Sequence, residues 1–144
     1  MVDVGWKRVT RREAVAEAWV DVGDEVAAAL DGGGGLPKGD PFETARLAGI
    51  MAAKRTPELI PLCHPLPIEL AEVEVERKGR RVHITSRVVA RARTGVEMEA
   101  MTAAAVAALA LYDMIKSLGR GAEIGPVRLL RKVGGKSGHW KRKQ

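Results

Sequence analysis

Glu72-Val73-Glu74-Val75-Glu76-Arg77-Lys78-Gly79-Arg80-Arg81-Val82-His83-Ile84-Thr85-Ser86-Arg87-Val88-Val89-Ala90 decides the fold. Val73 and Val75 alternate with three glutamates, Lys78-Gly79 marks a turn, and Val82, Ile84, Ser86, Val88 and Ala90 resume the alternation. A period of two is the strand period, so the stretch predicts a β-hairpin with one apolar and one wet face. The apolar face needs a cover, and the flanking sequence offers helices. Downstream, Thr94-Gly95-Val96-Glu97 reads as a capping box that opens an Ala-rich helix to about Leu118, ended by Gly119 and Gly121. Its small side chains would let another helix or a sheet approach closely. Upstream, Asp40-Pro41-Phe42-Glu43 is a helix start with an acid cap and proline at the first position. That helix should run to about Arg55 and stop before Pro57.

The remaining segments fill in around these. The four prolines from Pro57 to Pro67 predict a rigid extended segment and no helix. Thr10-Arg11-Arg12-Glu13 resembles a second capping box, whereas Trp19-Val20-Asp21-Val22 looks strand-like. The reading is a strand, a turn and a short helix over Asp24 to Leu30. Ile124 to Val133 alternates as a strand. The glycine-rich run Asp31 to Gly39 is a loop, read either as plain connection or as a mobile flap carrying Lys38. Together these predict an α+β fold: a mostly antiparallel sheet with helices packed on one face, in one domain spanning residues 1–144.

Composition narrows the function. The chain has 144 residues, 24 Lys and Arg against 18 Asp and Glu, and a net charge of +6, which suits an anionic partner. Aromatic residues are only 3%, too few and too scattered for the base-stacking platforms of single-strand nucleic-acid binders. A small anionic ligand is favoured over nucleic acid. The single cysteine, Cys63, cannot form an internal disulfide, and a lone thiol fits the cytoplasm. No signal-peptide pattern opens the chain, and the longest apolar run, Ala100 to Tyr112, ends at Asp113, so no membrane association is expected.

Several residues could do chemistry. At about 100° per residue, Glu99, Thr102, Asp113 and Lys116 share one stripe of the Ala-rich helix. The stripe is either a solvated edge closed by an Asp113–Lys116 pair or the wall of a pocket holding general acid–base groups. Glu97 completes the capping box or faces a ligand; Met98 fills core or faces a ligand. His64, braced by Cys63 and Pro65, is a structural or a substrate-facing histidine; His83 and His139 read as surface residues. Cys63 has no fixed charge partner but His64 and makes a poor nucleophile. No metal-ligand spacing is present. Gly134-Gly135-Lys136-Ser137 fails the P-loop pattern, since Leu130 stands where a glycine is required, yet with Lys132 it suits either a phosphate chain or a solvated basic tail.

Lys38-Gly39-Asp40, Leu62-Cys63-His64-Pro65-Leu66, Thr94 to Thr102, Tyr112-Asp113-Met114-Ile115-Lys116 and Lys132 to Gly138, with the opening Met1-Val2-Asp3-Val4, resemble the cyclic pyranopterin monophosphate synthase (MoaC) family of molybdenum-cofactor biosynthesis. The resemblance runs in order along nearly the whole chain. It implies a ferredoxin-like subunit in a hexamer, a trimer of dimers, with active sites at subunit interfaces. It implies a phosphorus–oxygen lyase that converts cyclised dihydro-GTP to cyclic pyranopterin monophosphate and releases pyrophosphate. By the same resemblance, Asp113 is the acidic catalytic group and Lys116 its partner. Leu62, Cys63, His64, Glu97 and Met98 fall on substrate-contacting positions, and Lys38 and Lys132 lie near the triphosphate or the reacting ring. Glu99, Thr102 and Lys136 join the substrate-binding set from the residue reading. No cofactor is required; a magnesium ion could ride on the triphosphate, though no carboxylate cluster demands one. Two rival readings use the same residues differently. A ribosome- or RNA-associated protein would rely on the basic tail, and a non-catalytic assembly subunit would use the Ala-rich helix as an interface.

Overall fold

The computed structural model describes residues 1–33 and 35–144. Its elements run β1 (Thr10–Asp21), α1 (Gly23–Asp31), α2 (Pro41–Lys54), α3 (Thr56–Leu59), β2 (Ile68–Lys78), β3 (Arg81–Ala92), α4 (Glu97–Ile115), β4 (Glu123–Val133) and β5 (Trp140–Lys141). The sheet order is β2-β3-β1-β4-β5. Every strand pair is antiparallel. Two interleaved βαβ units give this order, which is the ferredoxin-like arrangement of an α+β fold.

The hairpin forms as its alternation requires. Val82, Ile84, Ser86, Val88 and Ala90 point into the core, as do Ala14, Ala16, Ala18 and Val20 of β1. α4 lies across this face and buries Ala100, Ala103, Ala104, Ala107, Ala108, Leu111 and Ile115 against it. By length and composition α4 could cross a membrane. Its apolarity is that of a core helix, because its alanines are the packing surface of the sheet. α2 packs beside it at close range. A Cβ on Gly49 would stand 2.8 Å from the Ala103 carbonyl oxygen and 3.0 Å from Val73 Cγ2. Gly49→Ala should therefore destabilise the fold by about 1–3 kcal/mol, the usual cost of overpacking. Chemical denaturation checks this, and an unchanged midpoint would mean that the helices can separate freely.

Four local expectations are corrected. Thr10–Glu13 is not a helix cap but the start of a 12-residue strand. The period-two alanines behind it prevail over the capping pattern. Thr94 does not cap α4 either: Val96 holds the cap position with no side-chain hydrogen bond. The Glu97 carboxylate instead folds against Gly95, where any side chain would collide with it. The prolines from Pro57 do not exclude helix, because Pro57 occupies the first turn of α3, where a missing N–H costs nothing. α4 ends at Ile115, and one further turn, closed by Leu118 N–H to the Ile115 carbonyl, carries the chain onward. The flap reading of the glycine run includes Gly34, which lies outside the described residues.

The other sheet face is built from charge. Glu13 is only 7% exposed; it accepts from Arg87 Nε at 3.0 Å and Arg131 Nη2 at 2.8 Å. Glu17, 5% exposed, accepts from Arg128 Nε at 2.7 Å, and its other oxygen lies 2.8 Å from His83 Nε2. His83 stacks on Trp19 with ring centroids 4.1 Å apart. It is thus a half-buried member of this layer, not the free surface residue expected. The Arg87 hydrogen bond leads the interactions that hold the Glu13 carboxyl down at about 2, against the opposing effect of burial.

Candidate active site

α4 carries functional side chains at both of its ends. At the C-terminal end, Asp113 accepts from Lys116 Nζ at 2.7 Å and from Lys38 Nζ at 3.1 Å. Lys38 arrives from the loop before α2. Gly39, at φ +104°, turns that loop into the Asp40 cap, whose carboxylate accepts from the N–H groups of Phe42 and Glu43. A helix cap therefore anchors the lysine, which lies two residues upstream of it. Lys116, and then Lys38, lower the proton affinity of Asp113, so the carboxyl stays ionised well below neutrality. A cavity of about 240 Å³ adjoins the cluster, with Arg120 on its rim. Tyr112 Oη donates to the Arg120 carbonyl at 2.7 Å and fixes that rim.

At the N-terminal end the surroundings are basic. A cleft of about 530 Å³ is lined by Lys7, Arg12, Gly95, Glu97, Lys132, Lys136 and Ser137. Four cations against one carboxylate make it an anion site. A second cleft, of about 470 Å³, shares Lys7, Arg12 and Lys136 and adds Trp6 and Arg8. Lys132 Nζ donates to the Gly134 carbonyl at 3.1 Å and to Ser137 Oγ. The two glycines are required by close approach. Gly134, at φ +97°, lies against the Arg11 carbonyl, and Gly135, at φ +83°, makes room for the Arg12 guanidinium. The loop thus seats Arg12 beside Lys136.

Glu97 lines this cleft, and Glu99 lies near enough to Cys63 of the proline-braced loop for its charge to act on the thiol. Glu99 is 2% exposed; burial first, and the neighbouring Glu97 charge second, push its carboxyl up to about 7. Burial and the Glu99 charge also raise the Cys63 thiol, as expected of a poor nucleophile. One His64 ring nitrogen lies 2.7 Å from the Val2 carbonyl oxygen. Leu62 and Met98 are exposed, and Thr102 is buried one turn along from Met98.

The stripe holds in angle but not as one compact wall. Glu99 and Asp113 do share a side of α4, but about 21 Å of helix separates them at a rise of about 1.5 Å per residue. They cannot enclose one small ligand within one chain. The Asp113 and Lys116 side chains are half exposed in the single chain, form the expected ion pair and line the cavity of about 240 Å³. Lys7, Arg8 and Arg12 are not among the candidate site residues that the sequence offers. Their signal was the Lys7-Arg8 and Arg11-Arg12 doublets, obscured by the mistaken helix cap. Among the described residues no group of three His, Cys, Asp or Glu side chains could hold a metal ion.

The MoaC family sequence profile matches residues 1–135. The chain belongs to the MoaC family. A cyclic pyranopterin monophosphate synthase of Deinococcus radiodurans is 54% identical to it over 140 residues, covering 97% of this chain and 83% of that protein. Another with the same description, from Pelotomaculum thermopropionicum, is 54% identical over 145 residues, covering 99% of this chain and 85% of that protein. The MoaC match contains both ends of the α4 site apart from Lys136 and Ser137, which lie just beyond it.

The raised carboxyl of Glu99 has a measurable consequence. Between the unfolded value near 4.5 and the folded value near 7, the unfolded chain binds fewer protons, so this group makes stability fall as pH rises. Glu99→Gln should match the parent at pH 5 and exceed it at pH 8. Thermal melts at the two pH values decide, and equal curves would place the Glu99 carboxyl in water.

Proposed function

We propose that this protein is a cyclic pyranopterin monophosphate synthase. It would convert cyclised dihydro-GTP to the cyclic monophosphate with loss of pyrophosphate, in molybdenum-cofactor biosynthesis. Support comes from membership of the MoaC family and from relatives of that description that match nearly the whole chain. The observation that carries the chemistry is the Lys38–Asp113–Lys116 cluster, in which two lysines bracket one ionised carboxylate. In this reading Asp113 accepts protons during the ring rearrangement and Lys116 holds it in place. Lys38 neutralises charge near the reacting atoms.

The triphosphate would lie in the basic cleft of Lys132 and Lys136, with Lys7 and Arg12 as further ligands. There the lysines offset the charge that develops as pyrophosphate leaves. Leu62, Cys63, His64, Glu97, Met98, Glu99 and Thr102 would line the ring-binding part. The opposed shifts of Asp113 and Glu99 suit them to different tasks, since the first stays a base and the second holds a proton near neutrality. A magnesium ion, if bound, would ride on the triphosphate. Because the two groups lie at opposite ends of α4, the working form in this reading is a homo-oligomer, a hexamer of three dimers acting in the cytoplasm, with each site drawn from two subunits.

The direct test is pyrophosphate release from cyclised dihydro-GTP by the purified protein; no release would refute the reading. Salt provides a finer one. Raising ionic strength from about 0.1 M to 1 M shortens screening from roughly 10 to 3 Å. KM should rise while kcat falls less. Lys136→Ala should raise KM at low salt and weaken that response, and an unchanged KM would leave the tail as a solvated basic end.

A further inference from the structure

The basic tail has a fixed place in the fold. β5 pairs with β4 through Trp140–Lys132 and Lys141–Arg131. Beyond that pairing, the Arg142 N–H donates to the Leu130 carbonyl at 2.7 Å, and Arg142 Nε donates to the Leu129 carbonyl at 2.7 Å. The tail is therefore seated on β4. A cleft of about 620 Å³ opens among β1, β4 and the tail, walled by Trp19, Arg128, Leu130, Lys141, Arg142 and Lys143. A bulge in β4 puts this cleft behind the sheet. Arg131 pairs with Val15 and Leu129 with Ala16, so Leu130 is the extra residue. Arg128 and Arg131 consequently both reach glutamates on the open face. Lys132, next along, turns to the other side and lines the basic cleft at the N-terminal end of α4. The two clefts share no lining residue.

Charge in the rear cleft is unbalanced. Among the described residues Glu17 is the one carboxylate side chain on its wall, and Arg128 and His83 already meet it at 2.7 and 2.8 Å. Even with a carboxylate on Gln144 counted, four cations face two anions. Backbone hydrogen bonds hold these cations together against their repulsion, and a bound anion relieves it. Trp19 is held as well: His83 stacks on it at 4.1 Å, and the Arg81 guanidinium lies 4.3 Å from its ring centroid. With Leu130 it gives the cleft one apolar wall.

We propose that this rear cleft is a second anion site, separate from the catalytic cluster, that takes a phosphate chain of two or more units. Several spaced ammonium and guanidinium groups match such a chain better than a lone carboxylate. The volume falls within the range of small-ligand pockets. Nucleic acid is disfavoured, because Trp19 is the only ring on the wall and His83 already covers a face of it. The site does not depend on the reaction proposed above.

Fluorotryptophan-labelled full-length protein gives one fluorine signal each for Trp6, Trp19 and Trp140, assigned with Trp→Phe variants. Trp6 lines the front cleft and Trp19 the rear one. Inorganic pyrophosphate should move the Trp19 signal in a saturable titration. Replacing Lys141 and Lys143 together by Ala should raise that Kd at least about tenfold, since two charge-assisted contacts are lost. The Trp6 response should be unaffected. Lys136→Ala should leave the Trp19 titration as it was. Inorganic triphosphate and ATP then distinguish the sources of the chain. Equal Kd values assign a free phosphate chain, and a tighter ATP assigns a nucleotide whose base meets Trp19 and Leu130; both uphold the site. A Trp19 signal unmoved by pyrophosphate overturns the proposal, as does a titration that the double variant leaves unchanged or that Lys136→Ala abolishes. A Trp19 signal that responds to single-stranded RNA and to none of the phosphate compounds overturns it in favour of a nucleic-acid surface.

Discussion

Asp113→Asn should lower turnover at least about a hundredfold, the low end of what a positioned general base contributes. The asparagine keeps the shape and can still contact Lys38 and Lys116, now 3.1 and 2.7 Å from the carboxylate, but it takes up no proton. The melting temperature should stay close to the parent's, because the ion pairs are half exposed and carry little of the fold. KM should move less than kcat, since the phosphate-binding lysines lie at the other end of α4. Lys116→Ala should resemble it, with a smaller loss if the lysine only positions. Single-turnover kinetics would separate the two. Near-normal kcat in Asp113→Asn would take the C-terminal end of α4 out of the chemistry.

Glu13→Gln is expected to give the largest loss of stability at neutral pH, up to about 3 kcal/mol, from a carboxyl displaced from 4.5 to about 2 at about 1.36 kcal/mol per unit. The folded value is the lower one, so this stabilisation is complete above the unfolded value near 4.5. It drains away as pH falls toward 2. Glu17 contributes in the same direction, since its carboxyl too is lowered on folding. Urea midpoints from pH 7 to pH 3 would show the parent losing stability steeply and the variant more shallowly. Parallel curves would mean that Arg87 and Arg131 leave Glu13 on unfolding with no net cost.

The elements that were legible in the sequence were those in which one signal acted alone. The hairpin showed its period of two, and Asp40-Pro41 showed a cap with nothing competing. Where two signals overlapped, the longer-range one prevailed. Thr10-Arg11-Arg12-Glu13 reads locally as a cap, but Ala14 to Val20 form one wall of the core, and a strand is what that wall requires. Glu13 and Glu17 were illegible for a related reason. A glutamate alternating in a strand reads as the wet face, and only cross-strand register brings Arg87, Arg131 and Arg128 over it. The acid–base stripe was correct in angle and mistaken in distance. Periodicity reports which side of a helix a residue occupies and is silent on how far along the axis it lies.

The salt bridge from Lys38 to Asp113 bears on when the carboxylate can act. In the cluster two lysines share one carboxylate, so the net charge is positive and the base is weak. In the proposed reaction, negative charge near the reacting atoms competes for the same ammonium groups. As it draws Lys38 away from Asp113, one of the two charges holding that carboxyl's proton affinity down is withdrawn. Its basicity rises with occupancy, so the ligand would arm the group that acts on it, and an unoccupied cluster would have little tendency to take up stray protons.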